Sequence, residues 1–368
     1  MKIAIICGGL EPGHDGVGDY TRKLAGAVSK QGHTITAIAI NDKLIKSTVQ
    51  YQEDIDGSIV EIARIPSSEN ENNRFNVLKG ILLKFNPDWI SLQFVPYSFH
   101  AKGLPYRLFN SLKAMKLPYK WHFMFHELWI DDPENKKQYV VKLLQKLIIY
   151  TGVKKIKPQI INVTVPYNMQ RLKRINLPST VLGLFGNIVK SEQPITSVDT
   201  VSDSKINVLY FGGPPGSEYL EKVLEGLEIF CKSTNKEIDI TLVGINSSSK
   251  EKFVKVLHQR LDPYAVNIKD LGFLDDSVLS ELLTKSTVGI VRYLPYFIGK
   301  SGSAVAMIEH GIPVWLPRWN GEGQIDYEFR KELIHHDLKS AVSQKHETYY
   351  SLLTDVANQF VNDLNDNK

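Results

Sequence analysis

Cysteine is scarce: the 368 residues hold two, Cys7 and Cys231, far apart and without metal-type spacing. That excludes a disulfide framework and suits a reducing compartment. Cys7 ends an apolar run and reads as a buried free thiol. Long hydrophobic runs are lacking too, and none could span a bilayer. The opening MKIAIICGG has one lysine and six apolar residues before its glycines. It is too short for a signal-peptide core and reads as a first β-strand. No charge of one sign dominates, since 44 Lys and Arg against 40 Asp and Glu leave +4. That excess is too small to demand a nucleic-acid partner. There is no GxSxG elbow and no P-loop, and no DxD pair where a catalytic divalent ion would be expected. Asp131-Asp132 and Asp275-Asp276 are adjacent pairs that read more easily as helix starts.

What is present is an ordinary globular composition, 43% hydrophobic and 23% charged, in a chain long enough for two domains. Its rhythm is strand, glycine-rich turn, helix. An apolar strand at 2–7 leads into GGLEPGHDGVGDY, a helical pattern follows at 21–32 with Gly32 as its stop, and a β-branched strand runs over 34–40. Further strands are expected at 59–65, 89–94, 121–126 and 160–164. The stretch 187–204, rich in Ser, Thr, Val and Asp, reads as an interdomain linker. The rhythm then restarts, with strands at 206–211, 238–243, 266–269, 288–292 and 313–316 and a helix at 219–231. Leu352, Val356, Phe360 and Leu364 form a helical stripe near the end of the chain. The expectation is an α/β protein: a Rossmann-like domain over 1–187, a second over 205–345, and a terminal segment 346–368 that packs or returns to the first domain. Alternation of this kind implies parallel sheets covered on both faces.

In such sheets ligands bind beyond the carboxyl ends of the strands, near helix N-termini, and two sheets facing one another make a cleft. The run GIVRYLPYFIGKSGSAVAMIEHGIPV fits that position. Small residues at Ser301, Gly302 and Ser303 allow close backbone approach, a helix N-terminus accepts phosphate, and Lys300 adds charge. From Ser301 to Glu309 a helix advances roughly 12 Å. An extended ligand could then place phosphates at one end and a ribose diol on the Glu309 carboxylate. The plainer alternative is that Ser303 only caps the helix and Glu309 lies on the surface.

The loop 8–20 has five glycines and two aspartates but no strict GxGxxG, and no clear acidic ribose partner ends the second strand. His126 closes a mostly apolar run, where the cleft should be, or is simply structural. His122, four residues earlier, would lie roughly 13 Å away on a strand, too far to share an ion. Basic residues crowd into 102–174, including Lys154, Lys155 and Lys157. Both a solvated face and contact with an anionic acceptor or membrane surface remain open.

Several motifs together resemble retaining glycosyltransferases of the two-Rossmann GT-B class, the large family four in particular (glycosyl transferases group one). GVGDYTRKLAGAVSKQGHTITAIAI is similar to that family's opening, FHELW to its strand-end histidine, and DLGFLDDSVLSELLTKSTVGIV to its base-binding segment. SGSAVAMIEHGIPV is similar to its motif of two glutamates separated by seven residues. The first of those glutamates is Ser301 here. Gly213 and Glu218 stand where the family has an Arg and a Lys on the diphosphate, so Arg292 and Lys300 become the candidates for its charge. The resemblance implies transfer of a sugar from a nucleotide-diphosphate sugar, a UDP-sugar in the first instance, with retention and no essential metal or bound cofactor. The acceptor would be a glycan, a lipid-linked sugar or a small molecule, and the setting polysaccharide or glycoconjugate assembly. The cysteine usage suits a cytoplasmic protein, and the basic N-domain, with the Leu, Ile, Val and Lys mixture of 139–157, leaves peripheral contact at the inner face of the membrane as an open alternative. Site roles carry over residue by residue. Glu309 would hold ribose. Gly302, Ser303 and Ala304 with Lys300 would hold phosphate, beside Ser301, Gly212, Gly213 and Arg292. Gly272, Phe273 and Leu274 would flank the base. Gly16 and Gly18 would approach the transferred sugar and phosphate, His126 the reaction centre, and Asp19 would orient the acceptor. The departures leave two other readings open: a nucleotide-sugar-binding protein without catalysis, and a nucleotide-sugar epimerase.

Overall fold

The computed structural model describes residues 1–191, 205–213, 216–234, 236–244, 250–264, 266–292, 295–317 and 326–366. They form two compact units, Met1–Gly183 with Leu353–Lys368, and Leu184–Leu352.

The first unit runs β1 (Lys2–Cys7), α1 (Gly16–Lys30), β2 (Thr34–Asp42), β3 (Val49–Ile55), β4 (Ser58–Pro66), α2 (Glu71–Phe85) and β5 (Trp89–Phe94). It continues with α3 (Pro96–Phe99), α4 (Leu108–Ala114), β6 (Lys120–Phe125), α5 (Lys136–Ile156), β7 (Ile160–Val163), α6 (Pro166–Lys173) and β8 (Thr180–Val181). Its sheet has the order β3-β4-β2-β1-β5-β6-β7-β8. All pairs are parallel except β3 with β4. Central strands such as WISLQF are buried along their whole length, as a sheet covered on both faces requires. Asp15 starts α1, its Oδ1 accepting from Val17 N at 3.1 Å. Phe94, Phe109, Phe123 and Phe125 pack together on one side of the sheet.

The sequence reading missed β3. Its residues VQYQEDI are nearly all exposed, so no apolar alternation marks them. The turn that pairs it with β4 is Asp56-Gly57, both at positive φ (51° and 81°). An Asp-Gly pair between two strand-forming runs is a hairpin signal. Asp131-Asp132 is not a helix start either. Asn135 caps α5, its side chain accepting from Gln138 N at 3.0 Å, while Asp131 accepts from Tyr167 Oη at 2.7 Å.

The second unit holds β9 (Lys205–Phe211), α7 (Ser217–Ser233), β10 (Glu237–Val243), α8 (Lys250–Leu261), β11 (Val266–Gly272) and α9 (Asp276–Lys285). Then come β12 (Val288–Ile290), a 3-10 turn Pro295–Lys300, α10 (Gly302–Glu309), β13 (Val314–Trp315), β14 (Ile334–His335) and α11 (Leu338–Ser343). Its parallel sheet has the order β11-β10-β9-β12-β13-β14. Ile188, in the stretch read as a linker, is buried in this unit's core, and Ser191 N donates to Ser280 Oγ at 2.9 Å. Positions 192–204 of that stretch lie outside the described residues.

The last helix, α12 (Leu353–Asn365), packs on the first unit. Val356, Phe360 and Leu364 are buried. Gln359 Nε2 donates to Val181 O at 2.7 Å, and Gln31 Nε2 to Asn358 Oδ1 at 3.0 Å.

Candidate functional site

In the second unit the strand order reverses between β9 and β12, so a crevice is expected at their carboxyl ends. A row of glycines in the left-handed region lines that edge: Gly212 (φ +117°) after β9, Gly244 (φ +75°) after β10, and Gly272 (φ +64°) ending β11. Their backbones are laced to one another. Gly212 N donates to Val243 O at 2.9 Å and Gly244 N to Gly272 O at 2.7 Å. L side chains rarely adopt these angles, so the edge is built of bare backbone. Gly244 was not singled out from the sequence.

Arg292, just past β12, closes the row. A Cβ on Gly212 would lie 3.4 Å from Arg292 Nε and 3.5 Å from Ser303 Oγ, and one on Gly213 would lie 3.1 Å from Arg292 Nη1. Arg292 Nη1 donates to Gly213 O at 3.4 Å. Three elements therefore meet at the switch point: the turn after β9, the end of β12 and the start of α10. The side chain of Glu218, at the start of α7, lies outside the described residues.

Ser301, not Ser303, caps α10. Its Oγ accepts from Ala304 N at 3.2 Å and sits 3.1 Å from Ser303 Oγ. A Cβ on Gly302 would meet nothing within 4 Å. The Gly302 and Ser303 amides have no intrahelical acceptor, and the helix dipole adds partial positive charge there. Lys300 ends the 3-10 turn with its ammonium 5.3 Å from the centre of the Phe297 ring. Phe273 is 65% exposed beside Gly272, while Leu274 packs against the core.

Glu309 differs from both sequence readings. It is neither on the surface nor open to a diol, being 0% exposed. Its Oε1 accepts from Leu352 N at 2.8 Å. Its Oε2 lies against Gly186, where a Cβ would come within 2.5 Å of it. The carboxylate thus holds, through Oε1, the segment at which the chain leaves this unit, while Oε2 packs, without a hydrogen-bond partner, against the segment at which it enters. Burial pushes its pKa up to about 7 against the backbone contacts and Arg330, which lower it. Arg330 Nη1 donates to Ile308 O at 3.2 Å and so caps the carboxyl end of α10.

In the first unit the order reverses between β1 and β5. A cavity of about 360 Å³ opens beside it, lined among others by Gly8, Gly9, Asp15, Asp42, Lys43 and Ser98. Gly18 is a packing residue, since a Cβ there would lie 2.6 Å from Gly9 O. Gly16 faces open space. Asp19 Oδ1 accepts from Gly13 N at 2.9 Å and so closes the loop ahead of α1. Burial pushes the Asp15 carboxyl up. β2 extends past the apolar run to Asp42, so a carboxylate does end the second strand. That group accepts from Arg64 Nε at 2.7 Å and from Leu10 N at 3.3 Å. Burial opposes its charge, but Arg64 and the backbone amides outweigh burial and lower its pKa.

His126 lies just past β6, 5% exposed, and is not among the residues lining this cavity. Its ring meets Tyr20 edge-on with centroids 4.8 Å apart. A buried polar chain leads away from it. Its Nε2 is 2.8 Å from Gln93 Oε1, and Gln93 Nε2 donates to Ser91 Oγ at 2.7 Å. Ser91 Oγ is 2.8 Å from His122 Nδ1, and His122 Nε2 is 2.7 Å from Asn162 Oδ1. Asn162 Nδ2 reaches Thr180 Oγ1 at 2.8 Å and Asp363 Oδ2 at 3.2 Å. The two histidines share no metal, and residues of the neighbouring strands join them. Ser91 and Gln93 occupy alternate positions of an otherwise apolar strand, a parity visible in the sequence. Among the described residues no cluster of three His, Cys, Asp or Glu could hold a metal ion, and no helix is long and apolar enough to cross a membrane.

No protein-family profile and no curated protein matches the chain. Solved structures do. Sucrose-phosphate synthase from Thermosynechococcus elongatus aligns over 87% of this chain and 82% of its own, at 15% identity and a TM-score of 0.59. The catalytic domain of starch synthase IV from Arabidopsis thaliana, bound to ADP and acarbose, aligns over 100% and 99%, at 10% identity and 0.58. UDP-GlcNAc 2-epimerase from Methanocaldococcus jannaschii aligns over 100% of both chains, at 13% identity and 0.54. The likeness is one of fold. With two parallel-sheet Rossmann-like bodies, the chain has the GT-B architecture of the glycosyltransferases among these neighbours.

Proposed function

We propose that the chain is a glycosyltransferase that moves a sugar from a nucleotide-diphosphate sugar to a glycan, lipid-linked or small-molecule acceptor. The observation that carries this reading is the meeting of Gly212, Arg292 and Ser303 at the β9/β12 switch point. In transfer from such a donor the leaving group is a diphosphate, and catalysis consists largely of stabilising its charge. The Arg292 guanidinium and the Gly302 and Ser303 amides are the groups positioned to do so. They take over from the Arg and Lys that the resembled family has at positions 213 and 218. The exposed ring of Phe273 offers a face for the base. In this reading transfer proceeds with retention, needs no metal ion, and favours a UDP-sugar. The cavity above Asp15 in the first unit is the place assigned to the acceptor side. Glu309 is not assigned to ribose.

Thermal unfolding with UDP, GDP and ADP and their sugars tests the site, because a ligand that binds only the folded state raises the midpoint. UDP is expected to raise it, and Arg292→Ala to reduce the rise at a given UDP concentration. No rise with any nucleotide would sink the assignment. Incubating the bound donor with and without acceptors, with and without chelator, then tests the chemistry. The epimerase neighbour supports one rival: a sugar altered with no acceptor present would favour it. Binding without turnover would leave a nucleotide-sugar-binding protein.

A further inference from the structure

α5 is apolar on two sides. Ile149, Val153 and Ile156 pack inward with Gln145 and Gly152. The opposite side carries Tyr139, Val140, Leu143, Leu144, Leu147 and Tyr150, all exposed, Leu147 at 56%. At roughly 100° per residue, positions 139, 143, 147 and 150 form one stripe. Lysines, with the exposed Thr151, make up the rest of the outward surface. Lys136 and Lys137 lie at one end and Lys154 and Lys155 at the other. Lys142 and Lys146 flank the edge toward the unit, reaching the Asp131 carbonyl and the Trp129 ring. The 21 residues of the helix contain no Asp or Glu. Asp132 and Glu134 precede it, and Asp131 is turned toward Tyr167 and Arg171.

We infer that this face of α5 docks on the surface of a bilayer rich in anionic phospholipid. A stripe of Leu, Val and Tyr bordered by lysines matches the interfacial layer, where apolar side chains enter the acyl boundary and ammonium groups stay among the headgroups. The tyrosines present an apolar ring and a polar tip, which suits the same depth. The charge argues for this occupant over a second copy of the chain. A two-fold interface would set this lysine-bordered face against itself, with no carboxylate on the helix to answer it. The helix lies on the membrane and does not cross it.

Flotation of the full chain with vesicles tests the inference. One set is phosphatidylcholine alone, the other an equal mixture with phosphatidylglycerol. Binding is expected to the mixed vesicles only and to weaken with salt. Leu143→Ser with Leu147→Ser, and separately Lys154→Gln with Lys155→Gln, should each weaken binding roughly tenfold or more. All four side chains are exposed, so unchanged thermal unfolding serves as the control for folding. The inference is overturned if the chain ignores mixed vesicles, binds both kinds alike, or binds unchanged after either pair of substitutions. A mass in light scattering that doubles with concentration, and returns to one chain in the leucine variant, would overturn it in favour of self-association.

Discussion

His126 Nε2 and Gln93 Oε1 stand 2.8 Å apart, and this contact fixes where the protons of a whole buried chain lie. An amide oxygen can only accept, so His126 carries its proton on Nε2. Gln93 then donates to Ser91, and Ser91 donates to His122 Nδ1. His122 donates from Nε2 to Asn162, whose amide donates on to Thr180 and to Asp363 of α12. Each linking side chain accepts on one side and donates on the other, so the chain runs in one direction from His126 to Asp363.

Gln93→Leu therefore strands donors and acceptors on both sides of it. The expected loss is about 1–3 kcal/mol of stability, the ordinary cost of buried polar groups left unpaired. Urea unfolding of the variant measures it. A loss near zero would show that His126 and Ser91 do not depend on this link.

The buried His122 and Glu309 contribute to stability with opposite dependence on pH, beside other shifted groups such as Asp15 in the first unit and His310 in the second. Burial pushes His122 down to about 4, with the Asn162 contact opposing. An unfolded histidine takes up its proton near 6.5, so this contribution is complete above that pH and is lost as pH falls toward 4. Glu309 is raised to about 7, so its burial becomes unfavourable as pH rises from about 4.5 through 7. Each effect is at most on the order of 3 kcal/mol. Hydrogen exchange at pH 5 and pH 8, compared between the parent chain and Glu309→Gln, isolates the Glu309 contribution: the variant should lose a fall in protection of the second unit with rising pH and leave the first unit unchanged. Identical slopes in parent and variant would contradict this.

The sequence was most legible where burial is local. β1 and β5 could be bounded to the residue because KIAIIC and WISLQF are apolar runs between polar ends. The strand-end place of His126 and the small-residue start of α10 were visible for the same reason. What stayed hidden depends on partners distant in sequence. Glu309 looked like a ligand carboxylate because nothing near it announces Leu352 or Gly186. Asp42 lies two residues beyond its apolar run and is held by Arg64 from another strand. Gly244 is a single glycine after the apolar end of β10, and its role appears only when Gly212 and Gly272 stand beside it.

Gly16 and Gly18 looked equivalent in the sequence, yet their surroundings differ. A methyl group on Gly18 would press on Gly9 O at 2.6 Å, so the loop or the helix must shift. Gly18→Ala is expected to cost about 1–3 kcal/mol, as overpacking does. Gly16→Ala enters open space at the first position of α1 and should be neutral or slightly stabilising. Thermal unfolding of the pair decides, and equal midpoints would refute the packing role of Gly18.

Gly302 and Arg292 separate binding from folding in the second unit. Gly302→Ala adds a methyl group where no atom lies within 4 Å, so the unliganded midpoint should hold. That methyl would stand beside the amides offered to phosphate, so the rise induced by UDP should shrink. Arg292→Ala removes a charged donor, and charge-assisted hydrogen bonds of this kind correspond to roughly 10–100-fold in affinity. Lys300, held over Phe297, should matter less than Arg292. Titration calorimetry with UDP ranks the three variants. If Lys300→Ala weakens binding more than Arg292→Ala, the anion sits nearer the 3-10 turn than the glycine row. If none of the three changes affinity while all remain folded, the carboxyl edge of β9 and β12 does not hold the nucleotide.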